Sequence, residues 1–198
     1  VVTPAGPRFD TVIVAGGHSS RLGGTPKAQL PVAGSTLLAR TVEAVLPFGT
    51  VVVVGPEDPT LPARVLHTRE DPPFSGPAAG VAAGVVALAP VADRRDWTAV
   101  LACDMPGVDR ALPVLLAAAG RAASDVDGVI ATSREGRREN LAVLVRTGAL
   151  TRVLAEVPTA DASVRSVWRR LRLQETPVPE DSTADVDTWE DVRRLDLY

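Results

Sequence analysis

The sequence predicts an α/β fold built on a mostly parallel sheet, and three observations carry that expectation. Unbroken β-branched runs, Val12 to Val14 and Val51 to Val54, have the composition of strands buried on both faces. Stretches of helical spacing lie between and after them, so strand and helix alternate along the chain. The chain has 198 residues, 45% hydrophobic and 23% charged, which is enough to bury a core without staples and favours one domain.

The first strand stops abruptly at Ala15, Gly16 and Gly17, and the following loop carries Arg21, Gly23, Gly24 and Lys27. Glycines let a backbone approach a ligand closely, and the two cations supply the charge that phosphates need. The loop therefore reads as a nucleoside triphosphate site. Two other phosphate loops are excluded: no glycine is followed by Lys and then Ser or Thr, and the adjacent Gly16 and Gly17 break the G-x-G-x-x-G spacing.

Leu37, Leu38, Val42, Val45 and Leu46 recur at helical spacing behind Ser35, the expected N-cap, until Pro47 and Gly49 end the helix. Val51 to Val54 then completes a β-α-β unit with the parallel, right-handed crossover such units adopt. A short strand is expected at Val65 and Leu66, ahead of Arg69, Glu70 and Asp71. Gly76 and Pro77 open a small-residue helix running to about Leu88, in which Gly80 and Gly84 share a face. Close packing on the sheet is the reading for Gly84, while the helix N-terminus could offer backbone N–H groups to a ligand. Thr98 to Ala102 is the next strand. Asp104 follows it, where a carboxylate faces the crevice in which open α/β sheets bind ligands, and its hard oxygens suit magnesium (Mg2+). Asp109 is expected to cap a helix over Leu112 to Ala119, and Cys103 and Met105 to pack.

In the second half, Gly128 to Ala131 and Leu141 to Val145 read as strands joined by a charged, hairpin-like connection. Its Arg134, Arg137 and Arg138 fit solvated surface better than an anion site. Ala149 to Glu156 and Ser163 to Leu171 read as helices, and Leu171 to Val178 as extended. Thr188 and Asp191 form a capping box opening a terminal helix, which leaves Asp185 and Asp187 in the loop ahead of it. Those two carboxylates matter if the fold returns them toward Asp104.

A net charge of −3 gives no sign of a nucleic-acid or membrane-binding surface, and no run approaches the ~18 apolar residues of a membrane span. The single cysteine allows no intrachain disulfide and fits a reducing cytoplasm, and the opening V-V-T-P-A-G-P-R lacks the basic and long apolar regions expected of a secretory signal. The two histidines, His18 and His67, have no metal-ligand spacing and support no serine-histidine-aspartate arrangement.

Taken together, A-G-G-H-S-S-R-L-G-G-T-P-K, D-P-P-F-S-G-P-A-A-G, C-D-M-P and D-V-D-T-W-E-D resemble the molybdenum cofactor guanylyltransferases, within the broader nucleotidyltransferase superfamily. The resemblance runs from about Asp10 to Leu195. Its first motif has seven fixed positions, whereas the second and third are weak alone but fall in the expected order. It implies a single-domain, Rossmann-like three-layer αβα sandwich and transfer of GMP from GTP to molybdopterin, the molybdenum cofactor acceptor, with release of pyrophosphate. Ala15, Gly16 and Gly17 would line the guanine and phosphate end, and Arg21, Gly23 and Lys27 the triphosphate. Asp71 and Gly76 would contact the nucleotide, and Asp104, with Asp187, would hold magnesium. Residues 1–9 are then a flexible end, residues about 10–110 the nucleotide-binding half and about 111–198 the acceptor-binding half, with transient contact to cofactor-delivering or molybdoenzyme proteins. Glu139-Asn140 departs from the proline-leucine, preceded by a polar residue, more often found there. Cytidylyl relatives usually read A-A-G in place of Ala15-Gly16-Gly17, so a CTP-dependent enzyme is the near alternative and a non-catalytic nucleotide-binding module the distant one.

Overall fold

The computed structural model describes residues 7–17, 26–32, 34–184, 186, 190 and 191. Arg21, Gly23, Asp185, Asp187 and Thr188 lie outside them.

The first half builds β1 (Phe9–Val14), a short hairpin of β2 (Pro31–Val32) and β3 (Ser35–Thr36), α1 (Leu37–Val45), β4 (Val51–Val54), β5 (Leu66–Thr68), α2 (Pro77–Leu88) and β6 (Trp97–Ala102). Then come α3 (Val108–Arg121), β7 (Gly128–Thr132), β8 (Arg138–Arg146), α4 (Thr147–Glu156), α5 (Val164–Trp168) and β9 (Leu173–Pro177). Seven strands form one sheet in the order β5-β4-β1-β6-β8-β7-β9. Its pairings are parallel except those of β8, which runs antiparallel to β6 on one side and to β7 on the other.

Both faces of the sheet are covered, which is why the strands read as continuous apolar runs rather than alternating ones. Ile13, Val51, Val53 and Leu101 pack on one face with α1 and α3. Val12, Val52, Val54 and Val100 pack on the other with α2, α4 and α5. The result is a three-layer αβα sandwich. Gly84 fulfils its packing role: a Cβ there would overlap the Val12 side chain and come within 3.0 Å of Val54 Cγ2, so only glycine lets α2 lie this close to the sheet.

Several element ends differ from the sequence reading. Thr36 caps α1, accepting the Ala39 N–H at 3.1 Å; Ser35 is instead consumed by the β2–β3 hairpin. α3 starts a turn earlier than expected, so Asp109 sits inside its first turn and favours the helix through the dipole rather than as a cap. The strand expected at Val65 and Leu66 is shifted to Leu66–Thr68, and the helix expected over Ser163 to Leu171 is the short α5. The charged connection does turn at Ser133 to Arg137, but Arg138 to Asn140 belong to β8, which inserts between β6 and β7 instead of extending the sheet edge.

Candidate active site

The carboxyl ends of the parallel strands β5, β4, β1 and β6 stand side by side in that order, and each delivers a different kind of residue to one cleft of about 530 Å³. β1 contributes Ala15, Gly16 and Gly17, and β6 contributes Cys103 and Asp104. Pro56 comes from the end of β4, and Arg69, Glu70 and Phe74 follow β5. The strand ends are held firmly: Ala15 N–H donates to the Val54 carbonyl at 2.8 Å, Cys103 N–H to the Val14 carbonyl at 3.3 Å and Gly55 N–H to the Thr68 carbonyl at 2.9 Å. The floor is thus continuous backbone ladder, and loop residues are presented from it.

Lys27 and Asp104 come from positions 77 apart in the chain and meet in the cleft, Lys27 Nζ donating to Asp104 Oδ2 at 2.9 Å. Their side chains are 23% and 15% exposed, so the pair is sheltered yet open to a ligand. Cys103 is inert by comparison. Its thiol is buried, and burial together with the neighbouring Asp104 carboxylate pushes its pKa far above the ordinary thiol value.

Among the other residues read from the sequence, Gly76 lines the cleft as the N-cap of α2, with φ of +88° that glycine adopts readily. The helix N-terminus offers less than its length suggests: Pro77 has no N–H, and the Ala78 N–H is spent on the Ala162 carbonyl at 3.3 Å. Asp71 is exposed and is not among the cleft-lining residues. Its neighbour Glu70, only 7% exposed, is the carboxylate that lines the cleft. The sequence reading missed Glu70, and only the turn of the chain after β5 decides which of two adjacent acids points inward. Asp185 and Asp187 flank Val186, and Val186 returns the chain to the site: its N–H donates to the Asp104 carbonyl at 3.1 Å and its side chain packs with Leu30, Val32 and Leu37.

A second cleft of about 450 Å³ lies in the second half of the chain, among Arg134, Arg137, Glu139, Pro179, Glu180 and Asp181. Its arginines are matched by glutamates, Arg137 to Glu139 at 3.1 Å and Arg134 to Glu180 at 3.9 Å, while nearby Arg138 pairs with Glu175 at 2.7 Å. That pairing fits compensated surface rather than an anion trap.

A profile of the MobA-like NTP transferase domain matches residues 11–176. The chain belongs to that family. Within it, the molybdenum cofactor guanylyltransferase of Pseudomonas putida is 34% identical over 129 residues, 62% of this chain and 65% of that protein. The guanylyltransferase of Pseudomonas paraeruginosa is 35% identical over 121 residues, 59% of each. The chain thus spans less than two thirds of the length of these curated relatives. The fold of this MobA-like chain also matches that of molybdopterin-guanine dinucleotide biosynthesis protein A from Archaeoglobus fulgidus, with a TM-score of 0.66 at 20% identity, covering 94% of this chain and 96% of that one. No helix among the described residues is long and apolar enough to cross a membrane.

Proposed function

We propose that the chain transfers GMP from GTP to the terminal phosphate of molybdopterin, releasing pyrophosphate. The carrying observation is the Lys27–Asp104 pair in a cleft walled by Ala15, Gly16 and Gly17. The names of the Pseudomonas relatives support the choice of nucleotide and acceptor.

An oxygen of the acceptor phosphate attacks the α-phosphorus of GTP, the bond to the β-phosphate oxygen breaks, and pyrophosphate leaves with the electron pair. A phosphate monoester with a second pKa of ~6 is already largely ionised near neutral pH, so no strong base is demanded. This accounts for a cleft whose described lining holds neither a histidine nor an active thiol. The work left to the protein is alignment and charge. Lys27 sits where it would stabilise negative charge growing on the departing pyrophosphate, a duty Arg21 would share.

The residues present fit magnesium. Asp104 gives a sheltered hard-oxygen carboxylate whose Oδ2 is held by Lys27, and Mg2+ needs only one or two carboxylates when phosphate oxygens and water complete its shell. No cluster of three His, Cys, Asp or Glu ligands exists among the described residues, and Asp187 lies outside them. Asp104, with Asp187, would hold the ion, which when bound would neutralise the phosphate oxygens.

The test is incubation with magnesium, molybdopterin and each nucleoside triphosphate while pyrophosphate is followed. Release with GTP is expected. Release with CTP and not GTP would overturn the guanylyl reading in favour of the cytidylyl one, and nucleotide binding without turnover would favour a non-catalytic module.

A further inference from the structure

We infer that Val186 is a positioning residue, a peg that holds Lys27 against Asp104. The inference rests on the reading of that pair given above and deepens it.

Lys27 is the only lysine among the 198 residues. It stands on an arm outside the seven-stranded sheet. A turn of 3-10 helix, Lys27–Gln29, leads into the β2–β3 hairpin, which forms a small sheet of its own. Leu30 ends the turn: its N–H donates to the Lys27 carbonyl at 3.1 Å, and its carbonyl accepts the Leu37 N–H at 3.1 Å. That second bond, with Ala28 packed against the core under α1, attaches the arm to the body of the protein. These contacts fix Lys27 on its turn. They do not fix the distance from the turn to Asp104.

Val186 spans that distance. Its N–H donates to the Asp104 carbonyl at 3.1 Å, and its fully buried side chain packs with Leu30, Val32 and Leu37 of the arm. These four residues form a cluster separate from the two that cover the faces of the sheet. One residue thus meets Asp104 with its backbone and the arm of Lys27 with its side chain. The segment leading to it is pinned on the Asp104 side as well. A Cβ on Gly107 would lie 2.9 Å from the Asp181 carbonyl oxygen and 3.0 Å from Ser182 Cα, and Ser182 is fully buried.

An ion pair between two partly exposed side chains is weak unless their backbones are held in register. Val186 supplies that register. Truncating it to alanine removes two methyl groups from a closely packed cluster, which leaves a void or lets the arm shift into it. Either way the Lys27 amine drifts from Asp104, and a misplacement of about 1 Å at reacting groups can cost about 10²-fold in rate.

The lone lysine gives a direct readout. The full chain is trace-labelled with acetic anhydride, and acetylation at Lys27 is quantified by mass spectrometry. In Val186→Ala, Lys27 should acetylate about fivefold faster than in the wild type. Pyrophosphate release from GTP should fall about 10- to 100-fold, with the melting temperature lowered by about 10 °C or less. Val153→Ala, in the core under α4, should cost similar stability and leave acetylation and turnover per folded molecule unchanged. Val32→Ala opens the same cluster from the arm side and should repeat the faster acetylation, so it decides the matter if Val186→Ala does not fold. A folded Val186→Ala that keeps either the wild-type acetylation rate or the wild-type turnover would overturn the inference. So would equal effects in Val153→Ala, which would assign them to general loosening. Wild-type protein that releases no pyrophosphate from any nucleoside triphosphate would instead overturn the transfer reading, and the acetylation rates would still decide the peg.

Discussion

Two aspartates at opposite ends of the sheet show how surroundings separate a structural carboxylate from one available for chemistry. Asp10, near the start of β1, is fully buried; its Oδ1 accepts the Thr50 N–H at 3.0 Å, and its Oδ2 accepts the Arg95 N–H at 2.9 Å and Arg94 NH1 at 3.4 Å. Donors from three residues tie the start of β1 to the loops before β4 and β6. Asp104, at the carboxyl end of β6, has one cationic partner among the described residues and a side chain still 15% exposed to a cleft. A charge saturated by its own protein has nothing left to offer a substrate, whereas one held by a single lysine does.

The largest effect expected is on Asp104. Asp104→Asn keeps the shape and removes the charge, and pyrophosphate release should fall about 10³-fold with the melting temperature nearly unchanged. Full turnover would remove Asp104 from the chemistry and collapse the contrast. Asp10→Ala should act in the opposite currency, costing about 3 kcal/mol by orphaning buried donors and lowering the melting temperature by roughly 6 to 12 °C, while activity per folded molecule persists. Normal stability with lost activity would reverse the two assignments. A smaller effect separates Lys27 from general electrostatics: Lys27→Ala should weaken GTP about tenfold more than GMP in a binding titration, and equal weakening would deny it a role at the β and γ phosphates.

The smallest expected effect concerns Glu139, which burial holds above the ordinary carboxylate range while Arg137 pulls the other way. A raised carboxylate pKa means the folded chain binds more protons than the unfolded one, so this group lowers stability as pH rises from about 4.5 through the raised value. Chemical denaturation across that window should show the slope in the wild type and lose it in Glu139→Gln, a small difference in stability. An identical slope in both would assign the pH dependence elsewhere.

How far these features could be read from the chain depends on whether local pattern or long-range topology decides them. Val51 to Val54 was legible because two-sided burial leaves an unbroken β-branched run, and Gly84 because a helix of small residues has little reason to be small except close approach. Asp104 was placed by its position just past a buried strand. Glu70 was not, since two adjacent acids after a short strand look alike until the turn selects one. The insertion of β8 was equally hidden: its apolar residues mark a strand, but nothing local says which neighbours it takes. The return of the chain to Asp104 at Val186 depends on a contact between distant segments, which no local motif encodes.

That insertion sets the order in which the sheet can be completed during synthesis. The edge of β6 that faces away from β1 pairs with β8, so the hydrogen-bonding groups of Trp97 to Leu101 wait for residues that are made after α3 and β7. Until β8 emerges, the nascent chain carries an apolar strand with one side unzipped, the kind of edge that recruits other chains. Its protection is therefore temporal before it is structural: α3 must cover the face and β8 must close the edge before two growing copies meet.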